Sequence, residues 1–255
     1  MTQGNHVLAR LAEDDSVFGA WVLSMSPRMA ETLAAGRLDW VGIDTEHAPV
    51  GPELMESMVR AVEPHDATPI VRLPSVERAI EGGAKRALDA GAGGIIVPDV
   101  RTREEAAQVV TAATFPPDGE RGVAGTTRAN GYGRNFRDYV ETANDETLVV
   151  VQLESPAAID RADDILSVEG IDVAFVGEND LSSAMGYPGE KDQPAVRRAV
   201  TSVKETAIEH GVTPGIGGRT PADARERIAA GYRFFLLGAD LTFARSGIDG
   251  FLDGL

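Results

Sequence analysis

Residues 40–73 read WVGIDTEHAPVGPELMESMVRAVEPHDATPIVRL. The apolar runs at the two ends, Trp40–Asp44 and Pro69–Leu73, are short and bounded by turn residues, which predicts two strands. Between them, Pro52–Val62 repeats apolar residues at helical spacing and begins with a proline, a residue that favours the first helical turn. The stretch is therefore a strand–helix–strand unit, which is typical of a parallel sheet.

The same alternation continues along the chain. Strands are predicted at Val17–Ser24, Trp40–Asp44, Pro69–Leu73, Gly94–Val97, Leu148–Glu154, Val173–Gly177, Thr213–Ile216 and Arg233–Gly238. Helices are predicted at Arg28–Ala35, Pro52–Val62, Val76–Ala90, Thr102–Ala113, Pro156–Leu166, Pro194–His210, Thr220–Ala230 and after Asp240. Eight such units in about 250 residues predict an α/β fold, a (β/α)8 TIM barrel forming a single domain over residues 1–255. A doubly wound sheet is the alternative, but the turn after its first strand is glycine-rich and Ser24–Pro27 has no glycine.

Composition excludes several classes of partner. The chain has 24 Lys and Arg against 40 Asp and Glu, a formal net charge of -16, which repels nucleic acid and anionic membranes. It has no cysteine, so disulfides, thiolate zinc sites and cysteine nucleophiles are excluded. The N-terminus is too polar for a signal peptide, and we expect a cytoplasmic protein. The acidic runs and scarce lysines are typical of a halophilic protein. An ordinary acidic protein is the alternative, and thermal unfolding at low and at molar salt distinguishes the two.

Polar residues are concentrated where strands end, which is where barrel enzymes carry their active sites. Gln152 and Glu154 are two residues apart on one strand and share its barrel-facing side, and Asp180 follows the next strand. Two carboxylates on consecutive strands would suit Mg²⁺ or Mn²⁺. The alternative is structural: Glu154 pairs with Arg72, and Asp180 caps a helix that begins at Leu181.

Two further residues have the chemistry of a catalytic site. Arg72 is predicted to point into the barrel, where it either neutralises carboxylates or binds an anionic substrate or oxyanion. His47, at the end of a strand beside acidic residues, has the surroundings of a general base. Strict alternation aims Asp44 and His47 at opposite faces, so both serve one site only if the chain turns after Asp44.

Lysine placement argues against one type of aldol chemistry. Lys85 and Lys204 fall in predicted helices and Lys191 in a loop, so no lysine projects from a strand to form a Schiff base. Carbonyl chemistry would then need a metal or hydrogen bonds as the electron sink. The glycine-rich turn Gly215–Gly218 is a weak signal for a phosphate cradle.

Motifs along most of the chain resemble the HpcH/HpaI aldolase and citrate lyase family, specifically its divalent-metal pyruvate aldolases for 2-keto-3-deoxy sugar acids and 4-hydroxy-2-oxo-diacids. They are DWVGIDTEHAP (39–49), VRLP (71–74), LDAGAGGIIVP (88–98), PPDGERGV (116–123), VQLE (151–154) and FVGENDLS (175–182). The resemblance implies reversible aldol cleavage to pyruvate and an aldehyde, with Mg²⁺, Mn²⁺ or Co²⁺ as cofactor. It also implies a homo-oligomer, a hexamer assembled from dimers.

The resemblance assigns roles residue by residue. Glu154 and Asp180 would bind the metal, and His47 would be the proton acceptor. Arg72 would stabilise the enolate, while Gln152, the backbone at Asn179 and Asp180 would hold the pyruvyl group. The catalytic set would also include Asp44 and Asp89. Of these, Asp89 would raise the basicity of the histidine, but it lies at the opposite end of its own barrel.

The chain departs from the family pattern at two places, one of which is the stretch from Arg72 to Asp89, a few residues longer than usual. Glu178 and Asn179 stand where the family has Pro-Ala before the metal-binding Asp, which puts an extra acid and an amide beside the pocket. The aldehyde half is expected to contact loops over the barrel mouth, mainly 126–135 with Arg128 and Arg134, within the irregular stretch Phe115–Arg134. An acyl-CoA lyase of the citrate or malyl-CoA lyase type and a non-catalytic binding or assembly barrel are the alternative functions.

Overall fold

The computed structural model describes residues 4–255, so the first three residues of the predicted domain lie outside it. Within this range, eight parallel strands close into a barrel in which β8 pairs with β1. They are β1 (Val17–Val22), β2 (Trp40–Asp44), β3 (Thr68–Arg72), β4 (Gly94–Val97), β5 (Leu148–Leu153), β6 (Val173–Val176), β7 (Thr213–Gly217) and β8 (Phe234–Ala239). The predicted (β/α)8 barrel is confirmed.

Helices connect the strands and cover the outside of the barrel. They are α1 (His6–Ala12), α2 (Pro27–Ala34), α3 (Pro52–Val62), α4 (Val76–Arg78), α5 (Ala84–Asp89), α6 (Arg103–Ala113), α7 (Phe136–Glu146), α8 (Pro156–Asp160), α9 (Ala162–Leu166), α10 (Glu178–Ala184), α11 (Pro194–Glu209), α12 (Pro221–Ala229) and α13 (Asp240–Leu252). Serine and threonine cap the N-termini of several helices: the side chains of Ser26, Thr102 and Thr220 accept hydrogen bonds from first-turn N–H groups of α2, α6 and α12. Across residues 4–255, none of these helices has the length and apolar character to cross a membrane.

Two predicted helices are interrupted, and three helices are absent from the predicted set. Between α4 and α5 the chain forms a π-helical segment, Ala79–Gly83, because Gly82 adopts φ +105°, a conformation open to glycine. The predicted helix Pro156–Leu166 is divided at Arg161 into α8 and α9. The additional helices are α1, α7 and α10. Helices α1 and α7 each bury only one residue, so neither carries a strong apolar pattern, and α10 was foreseen only as a possible helix beginning at Leu181.

Large side chains fill the barrel interior. Trp40 stacks on Phe234 with ring centroids 4.7 Å apart, and Trp21 meets Trp40 edge-on. Glycines make room for them: a Cβ at Gly19 would lie 1.9 Å from Trp40, and one at Gly42 would lie 2.2 Å from Trp21. The interior is therefore a packed core below an open mouth.

Helix α1 covers the N-terminal end of the barrel, which we call the base. Its Val7 is fully buried and joins the interior cluster that contains Trp40. Asn5 caps α1, and its side-chain amide donates to the carbonyl oxygens of Gly93 and Glu146 at 2.6 and 2.9 Å. The base is thus closed by a helix that is hydrogen-bonded to the barrel.

The irregular stretch Phe115–Arg134 lies at the base, so its predicted place over the mouth is wrong. The Arg121 side chain bonds Asp89 at 2.7 Å, and the Ala129 N–H donates to the Asp89 carbonyl oxygen at 3.1 Å. The reason is topological: a helix that follows a strand runs back toward the base, so the connection after α6 starts there. Arg128 accordingly donates to the carbonyl oxygen of Ala90, at the base.

Candidate active site

A cavity of about 370 Å³ opens at the C-terminal ends of the strands, which we call the mouth. Its lining includes His47, Arg72, Gln152, Asn179 and Asp180. The structure therefore brings these five predicted residues around one space, although they come from the segment after β2, from β3 and β5, and from the segment after β6. Closed parallel strands end together, which is why residues distant in sequence meet here.

Arg72 is buried at the mouth and held in one orientation. Its Nε and Nη2 atoms donate to the two oxygens of Asp44 at 2.9 and 2.7 Å, and Nη1 lies 3.0 Å from Glu46. The guanidinium also lies over the ring of Trp21, 4.4 Å from its centroid. Arg72 thus forms its ion pairs with Asp44 and Glu46. The alternative in which it pairs with Glu154 is wrong.

Glu154 is the least compensated of the buried carboxylates at the mouth. One oxygen accepts from the backbone N–H of Asp99 at 2.9 Å and the other from the Gln152 amide at 3.0 Å. Within residues 4–255, no lysine or arginine forms an ion pair with it. Burial, followed by the negative charges of Asp180 and Glu46, raises the pKa of Glu154 to about 7.

Gly177 allows Glu154 and Asp180 to come close. A Cβ at this position would lie 2.1 Å from the Glu154 carboxylate, so any side chain here would displace it. Helix α10 begins directly afterwards, at Glu178, with Gly177 as its N-terminal cap. Asp180 is therefore in the first turn and exposed to the cavity, and the alternative that it caps a helix beginning at Leu181 is wrong.

The donor set fits a divalent cation that is bound only partly by protein. Residues 4–255 contain no group of three or more His, Asp or Glu side chains placed to hold a metal. Glu154 and Asp180 nevertheless offer carboxylate oxygens with unbalanced charge, and the Gln152 Oε1 atom is buried without a hydrogen-bond partner in that range. Mg²⁺ is commonly bound by one or two carboxylates plus water and substrate, which matches this arrangement.

The chain turns after Asp44, which is the condition for Asp44 and His47 to serve one site. Asp44 Oδ1 accepts from the backbone N–H groups of Glu46 and His47 at 3.0 and 3.4 Å. His47 thereby reaches the cavity, where its side chain is 63% exposed and its Nε2 atom lies 3.9 Å from Glu46. Asp44 fixes the turn that carries His47 and, through its side chain, the orientation of Arg72.

The structure separates Asp89 from the other predicted residues. Asp89 is the last residue of α5, at the base, and its carboxylate bonds the buried Arg121 at 2.7 Å. His47 lies at the opposite end of the same barrel. Within one chain, Asp89 therefore cannot contact the histidine.

Several mouth residues were not given roles by the sequence. Trp21 supports Arg72, and Glu46 pairs with it although burial raises the Glu46 pKa. Asp99 adopts φ +51° where β4 ends and presents its N–H to Glu154. Strand alternation could have identified Trp21, but a backbone donor carries no signal in the sequence.

Comparison with known proteins identifies the family. The model of the HpcH/HpaI aldolase/citrate lyase family matches residues 17–246. The chain belongs to this family. It is 39% identical to a hydroxypyruvate/pyruvate aldolase of Sagittula stellata, over 95% of this chain and 94% of the relative. It is 36% identical to a 5-keto-4-deoxy-D-glucarate aldolase of Shigella dysenteriae, over 95% and 93%.

Solved structures agree with this assignment. A HpcH/HpaI aldolase/citrate lyase family protein from Burkholderia cenocepacia is 36% identical, has a TM-score of 0.92, and the alignment covers 98% of both chains. The family resemblance expected from the motifs is confirmed, and so is the reaction class, because both relatives are aldolases, enzymes that break and form carbon–carbon bonds. Neither alternative, acyl-CoA lyase or non-catalytic barrel, is supported by them.

Proposed function

We propose that this aldolase family member cleaves a 2-keto-3-deoxy sugar acid or a 4-hydroxy-2-oxo acid reversibly to pyruvate and an aldehyde, with Mg²⁺, Mn²⁺ or Co²⁺. The observation that carries the proposal is the pair Glu154 and Asp180: Asp180 lines the cavity, and burial together with the negative charges of Asp180 and Glu46 raises the pKa of Glu154 to about 7. Such a pair is costly in the fold unless a cation joins it. The aldolase relatives support the reaction.

Each mouth residue has a proposed task. Glu154 and Asp180 would hold the cation, which as a Lewis acid lowers the energy of negative charge on a keto oxygen. Gln152 and the backbone N–H at Asn179 would bind the substrate carboxylate. Arg72, fixed by Asp44 and Trp21, would donate to the enolate oxygen as charge develops there.

His47 is proposed as the base in cleavage. It would accept the proton of the C4 hydroxyl while the C3–C4 bond breaks, leaving an aldehyde and the enolate of pyruvate, which is then protonated at C3. Its exposure at the mouth gives it access to the substrate, and the turn fixed by Asp44 sets its position. Asp44 is thus a positioning residue.

Asp89 has a role only if another copy of the chain supplies it, and we propose a homo-oligomer, a hexamer, on this ground. An exposed apolar surface supports assembly: Leu241, Ile248, Phe251 and Leu252 of α13 are all more than half exposed. Surfaces of this kind mark protein interaction sites. Gel filtration with light scattering tests the assembly, and a monomer would remove Asp89 from the site. The cytoplasmic location and halophilic adaptation remain predictions.

A metal-depletion experiment tests the function. The protein is treated with a chelator, then Mg²⁺, Mn²⁺ or Co²⁺ is restored singly, and pyruvate release from a panel of 2-keto-3-deoxy sugar acids and 4-hydroxy-2-oxo acids is followed with lactate dehydrogenase. We expect activity to disappear with chelation and to return with a divalent metal. Absence of metal-dependent pyruvate release from every substrate would contradict the proposal.

A further inference from the structure

One buried carboxylate at the mouth has no task in the mechanism above. Glu178 is 6% exposed and lines the same cavity as Arg72 and Asp180. Its Oε1 atom accepts hydrogen bonds from Arg219 and Arg227, both at 3.0 Å. A buried carboxylate held by two guanidinium groups is fixed in orientation, because either arginine limits its rotation.

The second oxygen of Glu178 faces open space. Among residues 4–255, no protein group donates a hydrogen bond to Oε2. The nearest feature is Gly217 at the end of β7: a Cβ there would lie 3.8 Å from Oε2 and 3.9 Å from the Leu236 carbonyl oxygen. Gly217 and the next residue, Gly218, both line the cavity. Two residues without side chains thus leave room directly beside an unused acceptor.

The arrangement suits a hydroxyl group better than an anion. Both arginines are already paired with carboxylates, Arg219 with Asp192 in addition to Glu178, and Arg227 with Asp223 in addition to Glu178. Neither is therefore free to bind a substrate carboxylate. Glu178 itself offers an acceptor and would repel a second negative charge.

The position of this acceptor indicates which substrate atom it meets. On the proposed function, Glu154 and Asp180 would hold the cation, the C1 and C2 oxygens of the keto acid would lie on their side of the cavity, and C3 would lie on the far side. Glu154 directly follows β5, and β7, β8 and β1 form the arc of the mouth opposite β3, β4 and β5, with Gly217, Leu236 and Trp21 on the cavity wall. The space beside Glu178 belongs to this arc.

We propose that Glu178, held by Arg219 and Arg227, binds a hydroxyl group on C3 of the keto acid and so favours a 3-hydroxylated donor over pyruvate. This inference rests on the proposed function for the orientation of the keto acid. The hydroxyl donates to Glu178 Oε2, and Gly217 provides its space. Glu178 is thus a specificity residue.

The test compares hydroxypyruvate with pyruvate, which differ by this hydroxyl. Binding of each to the Mg²⁺-loaded protein is measured by calorimetry, which needs no turnover. We expect hydroxypyruvate to bind about tenfold to a hundredfold more tightly, the range of a hydrogen bond to a charged group. Glu178→Gln should reduce this ratio, and so should Gly217→Ala, whose methyl group takes up the space while the arginine pairs stay intact. Glu209→Gln, an exposed change on α11, is the matched control.

Turnover separates this inference from the proposed function. Aldol addition is followed with each donor, and with glycolaldehyde and acetaldehyde as acceptors. A shift in the donor ratio alone in Glu178→Gln supports the inference, whereas a shift in the acceptor ratio instead would overturn the assignment to C3. Equal binding of the two donors by the unaltered protein, or a ratio that neither variant changes, would also overturn it. If the protein binds hydroxypyruvate more tightly than pyruvate but forms no aldol product from any donor and acceptor, the result would contradict the aldolase proposal and still support the Glu178 contact.

Discussion

Two buried carboxylates, one at each end of the barrel, are compensated differently. At the base, Asp39 is buried just before β2, and it accepts from Arg10 and from the Phe18 N–H at 2.8 Å. At the mouth, Glu154 is equally buried but is bonded only by an amide and a backbone N–H. Asp39 at the base therefore stabilises the fold, while Glu154 at the mouth keeps unbalanced negative charge that a cation can bind.

The largest expected effect comes from removing one mouth carboxylate. Asp180→Asn should lower kcat/KM for aldol cleavage by roughly a thousandfold, because Lewis-acid stabilisation amounts to several kcal/mol. The melting temperature without metal should stay the same or rise, since a like charge beside Glu154 is lost. Pyruvate release and thermal unfolding measure the two effects, with the exposed Asp164→Asn as the control. A large loss of stability would show that this mouth charge is structural.

Arg72 tests whether one residue at the mouth both stabilises the fold and takes part in catalysis. Arg72→Lys keeps the charge but loses the bidentate geometry, so kcat should fall about a hundredfold with a small change in stability. Arg72→Ala should in addition lower the free energy of unfolding by about 3 kcal/mol, because the fully buried Asp44 is left unpaired. Urea unfolding and steady-state kinetics separate the two. Unchanged turnover in either variant would remove Arg72 from the mechanism.

The opposite pattern is expected at the base. Asp39→Ala leaves the Phe18 N–H without its acceptor and Arg10 with Asp15 alone, which should lower the free energy of unfolding by about 2 kcal/mol. The value of kcat should not change, because the mouth is at the other end of the barrel. Urea unfolding with kinetics at saturating substrate measures this. A fall in kcat at full folding would contradict the division between the two ends.

The smallest effect concerns Asp172, a carboxylate at the base for which residues 4–255 supply no ion pair. Burial raises the pKa of Asp172 to about 6, against the hydrogen bond that it accepts from the Val149 N–H. The folded state therefore binds the proton more tightly than the unfolded state, and stability falls as pH rises from about 4 to 6. Asp172→Asn should remove this fall and stabilise the protein at pH 7 by about 1 to 2 kcal/mol. Melting temperatures from pH 4 to 8 measure it, and an unchanged pH profile would contradict this explanation.

The sequence by itself determined the fold and most of the mouth residues. Strands and helices alternate with clear periodicity, and parallel strands that close into a barrel must end together. For that reason Arg72, Gln152, Glu154 and Asp180 could be predicted to share one site before any distance was known. The scarcity of lysine on strands also indicated a metal rather than a Schiff base.

Only the tertiary structure decided which charges are balanced and which loops reach the mouth. Pairing between Arg72 and Asp44, or between Glu178 and two arginines on later elements, depends on distances between side chains far apart in sequence. The loop that contains Arg121 was misplaced because glycine and proline content predicts irregular backbone but not the end of the barrel at which it lies. The contact between Glu154 and the Asp99 N–H had no sequence signal, since every residue except proline has the same backbone donor.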